Sequence, residues 1–97
     1  MDEDGHTASI FADAPEWDFA AISTPERYVA VHPGSAPHAR VSLSMSALKQ
    51  VKQVYLFIAG QKKLDVLNAA LATKQKKNAI STLANDEGVK LDVYWCA

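Results

Sequence analysis

The run Val54-Tyr55-Leu56-Phe57-Ile58-Ala59 stops at Gly60 and passes without a spacer into Gln61-Lys62-Lys63-Leu64, and this junction limits the possible folds most. A strand with no polar face reads as the middle of a parallel sheet covered on both sides. Gly60 frees the backbone for an immediate helix, in which Leu64, Leu67 and Leu71 fall at i, i+3 and i+7 on one face, with Lys, Asp and Asn opposite. A last β-prone run, Leu91 to Trp95, follows. Strand, helix and strand in this order predict a right-handed βαβ unit, and so an α/β fold.

Upstream, residues 12 to 27 mix turn formers with Trp17, Phe19 and Ile22 and are punctuated by Pro15 and Pro25, which predicts an irregular or short-helical stretch pinned by aromatics. Tyr28 to Val31 reads as a strand closed by His32-Pro33-Gly34. From Arg40 to Met45 the pattern alternates, and the expectation is a half-buried strand with Val41, Leu43 and Met45 inward and Ser42 and Ser44 outward. Ser46 is the expected cap of a short helix reaching Val51, with Leu48 and Val51 inward. The connection from strand 40–45 to strand 54–59 is too short for a parallel crossover, so strand 40–45 is expected to pair antiparallel with strand 28–31. Lys74 to Lys77 reads as a solvated loop, Asn78 as the cap of a helical segment containing Ile80 and Leu83, and Asn85 to Gly88 as a turn.

Ninety-seven residues suffice for one small domain spanning 1–97. A net charge of −1 gives no general attraction to nucleic acid or anionic membrane, so any anion site must be local. The single cysteine, Cys96, forms no internal disulfide, and no charged leader precedes an apolar run, which fits a reducing cytoplasm. The longest apolar run is too short to span a bilayer. His6, His32 and His38 lack metal-ligand spacing, and no metal is expected.

Near the amino terminus, Asp4-Gly5-His6-Thr7-Ala8-Ser9-Ile10-Phe11 reads as a glycine turn feeding a helix begun by Ala8, Ile10 and Phe11, with Thr7 or Ser9 as cap and His6 at the positive helix end. The octapeptide resembles the signature segment of the 6-phosphogluconolactonases. Arg40 to Leu48, the strand ending Ile58-Ala59-Gly60 with Gln61-Lys62-Lys63, and Val93-Tyr94-Trp95 follow in that family's order. The resemblance covers nearly the whole chain but only the carboxy-terminal part of such an enzyme. It implies a Rossmann-like, mostly parallel sheet flanked by helices, with a small antiparallel strand pair.

The activity implied is hydrolysis of 6-phospho-D-glucono-1,5-lactone to 6-phosphogluconate, with His6 as general base, no cofactor, and this phosphorylated sugar lactone as the partner. By the same resemblance Lys63 contacts the substrate phosphate and Arg40 adds a guanidinium fork, while Gly5 and Thr7 flank the base against the substrate. Relatives often carry a lysine in the loop before Arg40, where this chain has Ser35. Either His38 replaces that charge or the loop contributes less. A related branch, the amino-sugar phosphate isomerases and deaminases, has a glutamate five residues after the histidine. That position is Phe11 here, which cannot carry a proton. The third reading is a non-catalytic remnant or structural module, because the phosphate turn of the family's first half does not occur in these residues. The apolar strand 54–59 has one parallel partner in the sequence, so self-association through an exposed sheet edge is expected.

Overall fold

The computed structural model describes residues Met1–Ala97. In chain order it contains a π-helical turn (Phe19–Ser23), β1 (Tyr28–Val31), β2 (Arg40–Leu43), α1 (Met45–Gln50), β3 (Val54–Ala59), α2 (Gln61–Ala72), α3 (Ala79–Ala84) and β4 (Leu91–Cys96). β1 and β2 form an antiparallel pair, with Tyr28 opposite Leu43 and Val31 opposite Arg40. β3 and β4 form a parallel pair in register from Val54 opposite Leu91 to Ala59 opposite Cys96. The crossover between them carries α2 and α3. Helices thus accompany a parallel pair, and a separate antiparallel pair stands beside it, which is the α/β arrangement expected.

The parallel pair is covered on one face. Leu56 and Ile58 are buried with Leu67 and Ala70 of α2 and Ile80 of α3, whereas Tyr55 and Phe57 are exposed on the other face. There they form an aromatic patch with Tyr94, whose ring centroid lies 6.1 Å from that of Tyr55 and 5.1 Å from that of Phe57. In α2 the buried positions are Leu67 and Ala70. Leu71 is exposed, so the inward stripe lies one residue off the leucine spacing, and the small Ala70 lets the helix sit close to β3.

The β1–β2 pair reverses a second expectation. β2 buries Ser42, and Val41 is 75% exposed. Alternation sets a period of two but not its phase, and here two serine hydroxyls with specific partners decide the phase. Ser42 Oγ accepts from the N–H of Ser9 at 3.0 Å and donates to the carbonyl of Leu43. Ser44, fully buried, accepts from the N–H of Ala47 at 3.1 Å and donates to the carbonyl of Glu26 at 2.6 Å. It is therefore Ser44, and not Ser46, that caps α1, and the helix ends at Gln50 with Val51 exposed.

Of the aromatics expected to pin residues 12 to 27, Trp17 is buried, packing with Ile10, Ala21, Met45, Ala79 and Leu83, while Phe19 and Ile22 are exposed. Asn78 caps α3 as expected, its Oδ1 accepting from the N–H of Ser81 at 3.2 Å.

No helix follows His6. Thr7 and Ile10 close a turn, with the N–H of Ile10 donating to the carbonyl of Thr7 at 3.0 Å, and Ala8 sits at a φ of 53°. The reason lies in two neighbours with different destinations. Ile10 is buried in the cluster around Trp17 and Met45, and Phe11 in a separate cluster with Ala14, Ala20, Val29 and Val31. Consecutive side chains of a helix project only about 100° apart, whereas the turn lets Ile10 and Phe11 diverge into the two clusters.

Candidate active site

His6 is held by a loop built almost wholly from its own backbone. The N–H of Gly5 donates to the carbonyl of Asp2 at 2.9 Å, the N–H of Asp2 to the carbonyl of His6 at 3.1 Å, and the Thr7 hydroxyl to the carbonyl of Gly5 at 3.2 Å. Gly5 is buried at a φ of 83°, in the region that favours glycine, and its carbonyl accepts from the N–H of Ile80 at 3.1 Å. The loop is thereby docked on the start of α3. Gly5 and Thr7 thus serve the loop through their backbone and hydroxyl.

The imidazole itself is fixed by Asp4. One carboxylate oxygen, Oδ1, accepts from the N–H of His6 at 2.9 Å and from ring Nδ1 at 2.6 Å. A carboxylate only accepts, so Nδ1 carries the proton of this contact, and in the neutral imidazole the lone pair is then on Nε2. That is the tautomer a general base requires. The side chain is 20% exposed, so the ring is largely enclosed but reachable. Asp4 was not among the candidates named from the sequence. The signal was available in the Asp-Gly-His spacing, which brings a carboxylate back onto a ring two residues later across a glycine turn.

The two cations expected at a phosphate reach this loop from different elements. Lys63, in the first turn of α2, places Nζ 3.8 Å from Asp2 Oδ1, and Lys62 places Nζ 3.2 Å from Glu3 Oε2. The N–H of Glu3, and secondarily Lys63 and His6, hold the Asp2 carboxyl below the usual carboxylate range. Arg40, at the start of β2, donates from Nη2 to the carbonyl of Pro37 at 3.1 Å, and its Cζ lies 5.1 Å from the centroid of the Phe11 ring. The same ring stacks on the imidazole of His6, with centroids 4.0 Å apart and planes inclined by 22°. Arg40, Phe11 and His6 therefore form one continuous set of contacts, and Lys63 approaches through Asp2.

His38 is exposed at a φ of 71°, two residues before Arg40, in a loop whose other end is tied by the N–H of Gly34 to Asp13 Oδ1 at 3.3 Å. His32 is paired elsewhere, with Nδ1 2.6 Å from Glu16 Oε2. No three His, Cys, Asp or Glu side chains are grouped to hold a metal ion. At the carboxyl ends of β3 and β4 an open, mainly apolar cleft of about 400 Å³ is lined by Lys63 together with Phe57, Tyr94 and Trp95. Its floor is stitched by the Gly60 N–H to the Cys96 carbonyl and by Trp95 Nε1 to the Gly60 carbonyl, both at 2.9 Å. No helix of the chain is long and apolar enough to cross a membrane.

Fold and site define an α/β protein with an imidazole oriented on a glycine turn, Arg40 linked to it through Phe11 and Lys63 to its loop through Asp2. The family of glucosamine-6-phosphate isomerases/6-phosphogluconolactonase matches residues 1–95, and the chain belongs to it. Among its relatives, a 6-phosphogluconolactonase of Neisseria meningitidis serogroup B is 36% identical over 97 residues, covering 98% of this chain and 42% of the relative. One from Pseudomonas aeruginosa is 40% identical over 78 residues, covering 79% and 33%. A crystal structure of a 6-phosphogluconolactonase from Shewanella baltica superposes with a TM-score of 0.93 at 36% identity, over 100% of this chain and 42% of that one. The chain thus spans less than half the length of the relatives it matches.

Proposed function

We propose that this chain carries the base and part of the phosphate site of a hydrolase that opens 6-phospho-D-glucono-1,5-lactone. The observation that carries this reading is the Asp4–His6 pair, which leaves Nε2 free to take a proton, together with Phe11 at the fifth position after the histidine. The isomerase branch of the family needs a proton-carrying group at that position. A buried phenyl ring stacked on the imidazole favours hydrolysis.

In the proposed reaction Nε2 takes a proton from water as its oxygen bonds to the lactone carbonyl carbon. The tetrahedral adduct collapses with cleavage of the ring C–O bond, and the imidazolium returns its proton to the leaving oxygen. The product is 6-phosphogluconate. Lys63 and Arg40 hold the phosphate, so that binding far from the carbonyl orients the ring. No cofactor enters the sequence of steps. A cytoplasmic location fits the exposed, unpaired Cys96. The uncovered Tyr55, Phe57 and Tyr94 face supports self-association of the 97-residue chain, which by itself is expected to turn over lactone poorly.

The test is lactone hydrolysis by the chain joined to the remaining length its relatives carry. His6→Ala should lower turnover by about a hundredfold or more, in the range of general-base catalysis. Near-normal turnover in that variant would overturn the assignment.

A further inference from the structure

We propose that Phe11 is a positioning residue: its ring sets the plane of the His6 imidazole and couples that plane to the guanidinium of Arg40. A single hydrogen bond from Nδ1 to Asp4 fixes one edge of the imidazole but leaves it free to rock about that bond. The stacked phenyl ring at 4.0 Å removes that freedom.

The phenyl ring can serve as a reference because it does not itself float. Phe11 is 2% exposed and packs with Ala14, Ala20, Val29 and Val31, so both the loop and β1 hold it. Arg40 rests on the same ring, with Cζ 5.1 Å from its centroid, and is steadied by Pro37. An anion that draws the guanidinium away removes a cation from the ring on which the imidazole is stacked, and so changes the surroundings of His6 while the ring stays in place. Occupancy at the phosphate end is thereby felt at the base, with no contact between His6 and Arg40 required. The choice of phosphosugar ligand rests on the lactonase reading above, whereas the stack does not.

The experiment is nuclear magnetic resonance of the His6 imidazole protons in the whole chain, which needs no turnover. The stacked ring should displace these resonances upfield. Phe11→Tyr, which keeps an aromatic face, should retain the displacement. Phe11→Leu, which fills the core without a ring, should lose it. Arg40→Gln, which removes the cation from the Phe11 ring, should shift the same resonances. On titration with 6-phosphogluconate, the His6 resonances should move in the parent and in Phe11→Tyr, and the response should collapse in Phe11→Leu.

Unaltered His6 resonances in a folded Phe11→Leu chain would overturn the proposal. If that variant does not fold, the absence of any His6 shift in Arg40→Gln would overturn it equally. If the chain joined to the remaining length its relatives carry does not respond to 6-phosphogluconate, but the Arg40→Gln shift is present and is lost in a Phe11→Leu background, the phosphosugar reading fails and the coupling through Phe11 is upheld.

Discussion

The N–H of Ser9 donates to Oγ of Ser42 at 3.0 Å, fastening the loop that carries His6 to the inner face of β2. The antiparallel pair therefore does more than present Arg40. It supplies a hydroxyl that satisfies a backbone donor of the His6 loop, and that requirement turns the serine face of β2 inward.

Ser42→Ala should therefore destabilise the fold by about 1–3 kcal/mol, because it leaves a partly buried N–H without a partner. Val41→Ser, on the exposed face, should change stability by less than about 0.5 kcal/mol. Denaturant unfolding of both variants checks this. Equal costs, or a larger cost at Val41, would mean that β2 is turned the other way.

Two glycines with positive φ are expected to respond differently to alanine. A Cβ at Gly5 would lie 2.5 Å from Oδ1 of Asn78, whose side chain is committed to Ser81 and Gln75, whereas a Cβ at Gly60 meets nothing within 4 Å. Gly60→Ala should cost about 1–2 kcal/mol of backbone strain alone, and Gly5→Ala distinctly more, with the α3 cap disturbed. Thermal unfolding with amide exchange at Ser81 separates the two.

Lys63→Met and Arg40→Gln should each weaken binding of 6-phosphogluconate much more than binding of gluconate, since both cations are assigned to the phosphate. Calorimetric titration with the two ligands is the check. Parallel losses for both would assign these side chains to the fold, through Asp2 and Pro37, and not to the ligand.

The Glu16 carboxyl is held below the usual carboxylate range, first by the N–H of His32 at 2.8 Å and then by the His32 ring. A carboxyl with a depressed folded-state pKa contributes stability above its unfolded pKa and loses it as the pH falls through the folded one. The stability gap between the parent and Glu16→Gln should thus narrow as the pH drops from about 5 toward 3. The carboxyl of Asp86, lowered by the N–H of Gly88 and by Lys49, works in the same direction. A gap constant with pH would show that Glu16 acts there as a neutral packing group.

Strand positions were legible because β-branched runs end at strong turn formers: Tyr28 to Val31 at His32-Pro33-Gly34, and Val54 to Ala59 at Gly60. The pairing was legible too, because a short link forbids a parallel crossover. Which face of β2 is buried was not, since the deciding partner, Ser9, lies far off in sequence. The turn after His6 was misread as a helix because Ala, Ile and Phe carry no local signal that Ile10 and Phe11 serve different clusters. Asp4 escaped notice for the opposite reason: its partner is so near that the pair reads as ordinary turn composition. Lys63 and Arg40 could be named from the sequence, but only the fold sets one beside Asp2 and the other on the Phe11 ring.

Loops that bear reactive groups are commonly the first parts of a protein to open, yet the loop around His6 is riveted by two consecutive side chains driven into separate clusters. To release it, Ile10 and Phe11 must leave their pockets together, which couples any excursion of the imidazole to loss of packing around both Trp17 and Val29. His6 should therefore share the slow opening rate of the protein interior, and its amide neighbours should exchange with solvent on the timescale of large-scale unfolding instead of loop fluctuation. The imidazole is thus already in place in the folded chain and needs no flap to close over it.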